Sequence, residues 1–373
     1  MSSALILAGA RTPFAAWSRG STGRAEPGGA LKAFDPFDLG AAALTGALAR
    51  ARLSAGDLGL IVFGNMYQVG AHGCYGARYV GHRAGAPAAV AGVTVNLACG
   101  TGLLALKAAA EAIVSKEART AAAVGADSPS LLRRDVFAPS FTDISCGKPI
   151  ARTAEERAAE RGMTREQIDA WARRSHARAR AAYAALAEEI VPVAGVLADD
   201  LVLGADLPDP FAAARAMFDD GPKLVTGANT HGVADGGAAL ILSSAAAASG
   251  RALGRVVSFG LVGTAPERMA YAAIPAARQA LERARWRVGD VDLWELNETF
   301  AAQALIDSAE LGLDPERVNV RGGAIALGHP FGATGLRQVL SLLLELRRRG
   351  RRRGLAAIGV GGGLGIAACV EAL

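Results

Sequence analysis

The sequence predicts an α/β protein made of two similar halves, each a run of strand–helix–strand units, with a long excursion inserted into the first. Three observations carry that expectation. Short apolar runs alternate with alanine-rich stretches of helical length, the rhythm breaks between residues 126 and 231 and then resumes, and a short glycine-containing block occurs twice, about half a chain apart. At 373 residues the chain can bury sizeable cores without disulfide staples, and its 51% hydrophobic and 20% charged residues exclude a disordered or fibrous polymer.

In chain order, residues 4–8 predict a strand, 37–51 a helix, 58–63 a strand, 102–115 a helix and 120–124 a strand. Residues 152–186 form a charged region of helical pattern, and 191–223 is irregular, rich in Asp, Pro and Gly. The earlier rhythm then returns, with strands over 238–242, 255–262 and 291–296, helices over 275–285, 299–311 and 335–349, and closing strands. The repeated block is Cys99-Gly100-Thr101-Gly102-Leu103 against Gly332-Ala333-Thr334-Gly335-Leu336. Each copy opens a helix where glycines let backbone amides approach a ligand, so the two helix starts are expected to face one shared site.

A formal charge of +5, from 40 basic and 35 acidic residues, suits an anionic small ligand and does not point to nucleic acid. The arginine run from Arg347 to Arg353 reads as a solvated turn. The uncharged stretch over 354–370 is too glycine-rich for a spanning helix and predicts a buried strand and turn, so no membrane partner is expected. Leu5-Ile6-Leu7-Ala8 is too short for the apolar region of a signal peptide, which predicts a cytoplasmic protein. Cys74, Cys99, Cys146 and Cys369 lie far apart with no C-x-x-C, which suggests neither a zinc site nor a disulfide framework.

Chemistry-bearing residues fall in three segments. Cys99 stands in Val95-Asn96-Leu97-Ala98-Cys99-Gly100-Thr101-Gly102, at the start of a predicted helix whose dipole would lower the thiol pKa. The same residue also reads as a small buried cysteine at a helix–strand contact. His329, flanked by Gly328 and Pro330, is placed to activate a thiol or polarise a carbonyl. Asn297, in Asn297-Glu298-Thr299-Phe300-Ala301, is either a helix N-cap or an oxyanion-hole donor.

Together, Asn96-Leu97-Ala98-Cys99-Gly100-Thr101-Gly102, Asn297-Glu298-Thr299-Phe300-Ala301 and the glycine-rich block around His329 closely resemble the signature blocks of the thiolase family. Ala10-Arg11-Thr12-Pro13, the segment 226–239 and Gly361-Gly362-Gly363-Leu364-Gly365 extend the resemblance over nearly the whole chain. It implies a five-layered α-β-α-β-α core of two βαβαβ-type halves, at 1–125 with 232–253 and at 254–373, and an inserted loop domain at 126–231 that covers coenzyme A. It further implies an acyl-CoA C-acyltransferase of the acetyl-CoA acetyltransferase or 3-ketoacyl-CoA thiolase type, with no prosthetic group and CoA thioesters as substrates. Cys99 would accept the acyl group, His329 would activate it, Asn297 and His329 would hold a thioester oxyanion, and the amides of Cys99 and Gly361 would form a second hole. Arg215 and Lys223 are placed for the CoA phosphates, and a homodimer or homotetramer is expected, with Cys74 in a dimer-contact region.

The chain departs from the family pattern in two places. Gly359 stands where the family carries a second cysteine as acid/base, and glycine has no titratable group. His231, in Asn229-Thr230-His231-Gly232, stands where the family more often has a serine near the pantetheine arm, so it either packs against CoA or reaches the vacated place. Gly359 keeps open a decarboxylative condensing enzyme or simple acyl transferase, and a non-catalytic CoA-binding subunit is the remaining alternative. The insertion, with Pro149-Ile150 preceding Ala151, lacks the family's usual His-Met pair.

Overall fold

Strand pairing repeats one pattern twice along the chain. The computed structural model describes residues 4–17, 29–69, 72–202, 204, 209–244 and 252–373. The first half contributes β1 (Leu5–Arg11), α1 (Pro36–Ala51), β2 (Leu60–Gly64), α2 (Gly76–Arg83), β3 (Ala91–Val95), α3 (Thr101–Val114) and β4 (Thr120–Asp127). The inserted region carries α4 (Ile150–Glu160) and α5 (Arg165–Ala181), after which β5 (Ala234–Ser243) rejoins the sheet. The second half follows with β6 (Gly254–Gly263), α6 (Ala273–Ala284), β7 (Leu293–Leu296), α7 (Ala301–Glu310), α8 (Phe331–Arg348), β8 (Arg353–Val360) and β9 (Leu364–Ala372).

In the first half the order is β3-β2-β4-β5-β1, parallel across the first two pairs and antiparallel across the last two. The second half reproduces it: Val318 bridges β7 in parallel, β7 pairs β8 in parallel, and β8-β9-β6 are antiparallel. Leu5 and Ile6 of β1 pair with Arg255 and Gly254 of β6, so the two sheets join edge to edge.

Burial explains the layers. Leu103 and Leu106 of α3 and Leu336 and Leu340 of α8 share one core with Leu240, Val360 and Ile366 of the strands, so these two helices lie between the sheets. Leu44 and Val80 of α1 and α2 cover the outer face of the first sheet, and Ile274 and Ala302 of α6 and α7 cover that of the second. The result is five layers, α-β-α-β-α. Strands with helices on both faces need residues that are apolar all along, and every residue of β4 and β5 is buried.

The repeated glycine blocks turn out to meet each other. The central helix opens at Phe331, not near Gly335 as the sequence suggested, so Gly332 and Gly335 lie inside its first turns. A Cβ on Gly102 would stand 2.5 Å from the Gly332 carbonyl oxygen, and one on Gly335 would stand 2.6 Å from the Leu103 nitrogen. These glycines let α3 and α8 cross backbone to backbone. Their role is close packing rather than an open cradle for a ligand.

Two further elements escaped the sequence reading. α2 and β3 occupy a stretch that shows no clear period, because β3 is a five-residue strand at the end of the sheet order with Ala91 and Val93 exposed. The arginine run is exposed along most of its length, and Arg348, Arg349 and Arg352 pair with Glu345 and Glu371. Among the described residues no helix is long and apolar enough to cross a membrane.

Candidate active site

Cys99 sits in a short 3-10 turn that leads directly into α3, and the residue before it, Ala98, is held at φ +43°. A non-glycine residue in that region costs roughly 1–3 kcal/mol and survives where the surroundings fix it. Here Asn96 Oδ1 accepts from the Ala98 amide at 2.8 Å, and Thr101 Oγ1 accepts from the Leu97 amide at 2.8 Å. The turn presents the thiol to the Gly361 amide, which donates to its sulfur together with the cysteine's own N–H. Gly362 and Gly363, at φ +82° and +73°, provide the left-handed turn that aims Gly361, and a Cβ on Gly363 would meet the Thr264 carbonyl at 2.5 Å.

The expected lowering of the Cys99 pKa is overturned. Burial pushes the thiol up to about 12, against the opposing hydrogen bonds from Gly361 and its own amide, and the nearby Asp127 adds to the rise. Desolvation of a thiolate outweighs one helix terminus. Cys369, in β9, is also fully buried and pushed up to about 12 by burial, which suits a packing role.

His329 is fully buried and its tautomer follows from its neighbours. Thr334 Oγ1 donates its one proton to the Pro330 carbonyl at 2.9 Å, so it accepts from His329 Nδ1–H at 2.6 Å. Nε2 is therefore the unprotonated nitrogen, and it has no partner. Burial, then His231 and Arg337, hold this imidazole well below its ordinary pKa.

His231 lies against it, the two rings edge to face with centroids 4.7 Å apart. Its amide donates to the Thr299 carbonyl at 3.2 Å, which ties the segment to the Asn297 block, and the His329 amide donates to the Gly232 carbonyl at 2.9 Å. Burial pushes the His231 pKa down to about 4, and its Nδ1 has no partner. The Phe331 ring stands 4.8 Å from His329 and 6.0 Å from His231, closing an apolar wall over both.

Asn297 is not a helix cap, because α7 begins at Ala301 with Phe300 at its N-cap. Its amide is fixed by the Ala357 carbonyl at 2.9 Å, its Nδ2 donates to Thr299 Oγ1 at 3.0 Å, and its Oδ1 has no partner. Nδ2 keeps a second hydrogen for an oxyanion. A buried polar atom without a partner is uncommon and marks strain or a missing ligand; here three, on His231, His329 and Asn297, belong to adjoining segments.

Residues not singled out by the sequence hold this arrangement. Glu298 accepts from Trp171 Nε1 and Asn319 Nδ2 at 2.9 Å each and from Ser175 Oγ at 2.7 Å, fastening α5 of the insertion to the Asn297 block. Asp127 accepts from the Gly332 amide at 2.6 Å and the Tyr67 amide at 2.9 Å, pinning the start of α8 beside β4. Burial pushes its carboxyl up to about 7 against those hydrogen bonds. For Asp127 the available signal was its place as the first charge after the run 120–126; Glu298 stands among Asp292, Glu295, Asn297 and Thr299, and nothing local marks it out.

A Cβ on Gly359 would lie 3.2 Å from the Met269 carbonyl oxygen and 3.5 Å from Gln303 Nε2. Arg215 and Lys223 are exposed on the insertion and make no ion pair among the described residues. Ile150, the first residue of α4, has its Cγ2 3.9 Å from where a Cβ on Gly361 would be.

The family sequence model described as "Thiolase, N-terminal domain" matches residues 5–135 and 129–246, and "Thiolase, C-terminal domain" matches 250–372. The chain belongs to the thiolase family. This thiolase is 36% identical to an acetyl-CoA acetyltransferase of Shinella zoogloeoides, with 99% of each chain covered. It is 37% identical to a beta-ketothiolase of Cupriavidus necator over 92% of this chain and 95% of that one. Among solved structures, human mitochondrial 3-ketoacyl-CoA thiolase in complex with CoA superposes with a TM-score of 0.92 at 31% identity, covering 100% of this thiolase and 98% of the other. The Bacillus anthracis acetyl-CoA acetyltransferase gives the same TM-score at 32% identity, with 100% and 99% covered.

Proposed function

We propose that the thiolase-type acyl-CoA C-acyltransferase activity of this chain runs through an acyl-enzyme on Cys99. The observation that supports it most is the unprotonated, unpartnered Nε2 of His329 in a site whose thiol is neutral. His329 takes the thiol proton as the sulfur attacks a thioester or 3-keto carbonyl, so the costly buried thiolate exists only during reaction. The amides of Cys99 and Gly361 hold the oxygen of the acyl group, and Asn297 Nδ2, joined by His329 while its Nε2 carries the proton taken from the thiol, holds the thioester oxygen of the second substrate.

Coenzyme A is the carrier, and the exposed Arg215 and Lys223 are the cations offered to its phosphates. The working unit is a cytoplasmic homodimer or tetramer. The test is CoA-dependent loss of acetoacetyl-CoA with purified protein, using Cys99→Ala as the blank. Cleavage abolished in the variant is the expected result; absence of cleavage, with extension of the acyl-enzyme by malonyl-CoA, would replace this reading with decarboxylative condensation, the alternative that Gly359 favours.

A further inference from the structure

Carbon–carbon bond formation by the acyl-enzyme requires two things of the site at once. A donor must hold the thioester oxygen of the incoming acetyl-CoA, and a base must take a proton from its α-carbon. His329 cannot do both, because its Nδ1–H is committed to Thr334 and only Nε2 remains. A second nitrogen without a partner stands beside it, Nδ1 of His231, in a ring whose centroid is 4.7 Å away.

We propose that His231 is the acid/base group for the α-carbon, and so for the step that makes or breaks the carbon–carbon bond. The inference rests on the acyl-enzyme reading above. In synthesis the α-carbon C–H bond breaks, the proton goes to His231, and the electron pair forms the new bond to the acyl carbonyl carbon. The bond from that carbon to the Cys99 sulfur then breaks, with the pair leaving on sulfur, and the proton passes from His231 through the adjoining His329 to that sulfur, which restores the neutral thiol and both neutral rings. In cleavage the Cys99 thiol proton, taken by His329 as the sulfur attacks the 3-keto carbonyl, passes to the adjoining His231 and from there to the α-carbon as the carbon–carbon bond breaks. CoA then enters as a thiol, gives its proton to His231, and displaces Cys99 from the acyl group, and the departing Cys99 sulfur takes that proton back by way of His329.

The surroundings suit that role. The two rings are shielded by Phe331, and the His231 backbone is tied to Thr299, beside the Asn297 amide. Burial keeps the imidazole neutral, so its lone pair is available around neutral pH. Besides His231, the charged group that acts on His329 is Arg337, whose positive charge discourages a second proton on His329.

The experiment separates the half-reactions. Acetylation of Cys99 by acetyl-CoA is followed by mass, and exchange of the acetyl-CoA methyl protons in deuterated water is followed by NMR, in the unsubstituted chain and in His231→Gln. The expected result is exchange at least about 100-fold slower in the variant, with acetylation falling far less. Exchange within threefold of the unsubstituted chain would overturn the proposal, and so would equal loss of both half-reactions. His231→Ala adds a readout that a structural role would not move: added imidazole restores exchange if the ring is the base, and failure to restore it overturns the assignment. If Cys99 of the unsubstituted chain is never acetylated, the acyl-enzyme reading falls and takes this one with it.

Discussion

Burial leaves both the Cys99 thiol and the His329 imidazole neutral in the resting chain. With burial holding the Cys99 thiol up to about 12, its thiolate fraction at pH 8 is on the order of one in ten thousand. Alkylation by iodoacetamide at pH 8 is therefore expected at Cys74, which is exposed, well before Cys99, as peptide mapping would show. Faster labelling of Cys99 would mean that a standing thiolate exists. Asp307 makes a second test of burial at this scale. Its carboxyl is pushed up to about 8 by desolvation, opposed by a hydrogen bond from Gln303 at 2.7 Å. The folded chain thus binds this proton more tightly than the unfolded chain, and stability falls as pH rises from the ordinary carboxyl range toward 8. Asp307→Asn is expected to gain on the order of 2 kcal/mol at pH 8 relative to pH 5, read from urea midpoints at both pH values.

At the scale of elements, the crossing of α3 and α8 is the most demanding feature. A Cβ on Gly125 of β4 would stand 1.9 Å from the Gly332 carbonyl oxygen, a backbone atom that moves only if α8 moves. Gly125→Ala is expected to cost about 3 kcal/mol or more, whereas Gly289→Ala, where nothing lies within 4 Å, is expected to stay within about 0.5 kcal/mol. Denaturant midpoints check both. Elements whose ends carry local chemistry were the most legible. α1 opens with Asp35, whose Oδ1 accepts the Asp38 amide at 2.8 Å with Pro36 at the first position, and α5 opens with a box of Thr164 and Gln167. α2 lacks a side-chain cap, and β3 is short with half its side chains toward solvent, so neither left a strong period.

Across the whole molecule, the insertion is fastened to both halves by buried charge. Glu189 accepts from Arg11 at 3.0 Å and from Arg321 at 2.8 Å, and Arg321 continues to Glu345 at 3.0 Å. The network joins β1, the insertion and α8. Removing its central charge leaves Arg11 paired with the buried Asp199 carboxylate at 2.7 Å and Arg321 paired with Glu345. Glu189→Gln is therefore expected to cost about 1–3 kcal/mol, measured by chemical denaturation, and adding Arg11→Met, which strands Asp199, is expected to cost more rather than recover stability. Burial would raise the Glu345 carboxyl, but hydrogen bonds from Arg348 and Arg349 and the charge of Arg321 hold it down to about 2. That contribution is present above the unfolded value of 4.5 and is lost as pH falls from there toward 2.

By itself the sequence determined the α/β class and, through its motif blocks, the family, because hydrophobic period and short motifs are local properties. It did not determine which glycines serve packing: those of the repeated block read as a ligand cradle until α3 and α8 were seen to cross on them. Nor did it determine charge state. The helix start at Cys99 argued for an acidic thiol, and only burial from every side, which depends on both sheets and the insertion, decides that the thiol stays protonated. The nearness of His231 to His329 was likewise a tertiary decision, since the 97 residues between them include β5 to α7.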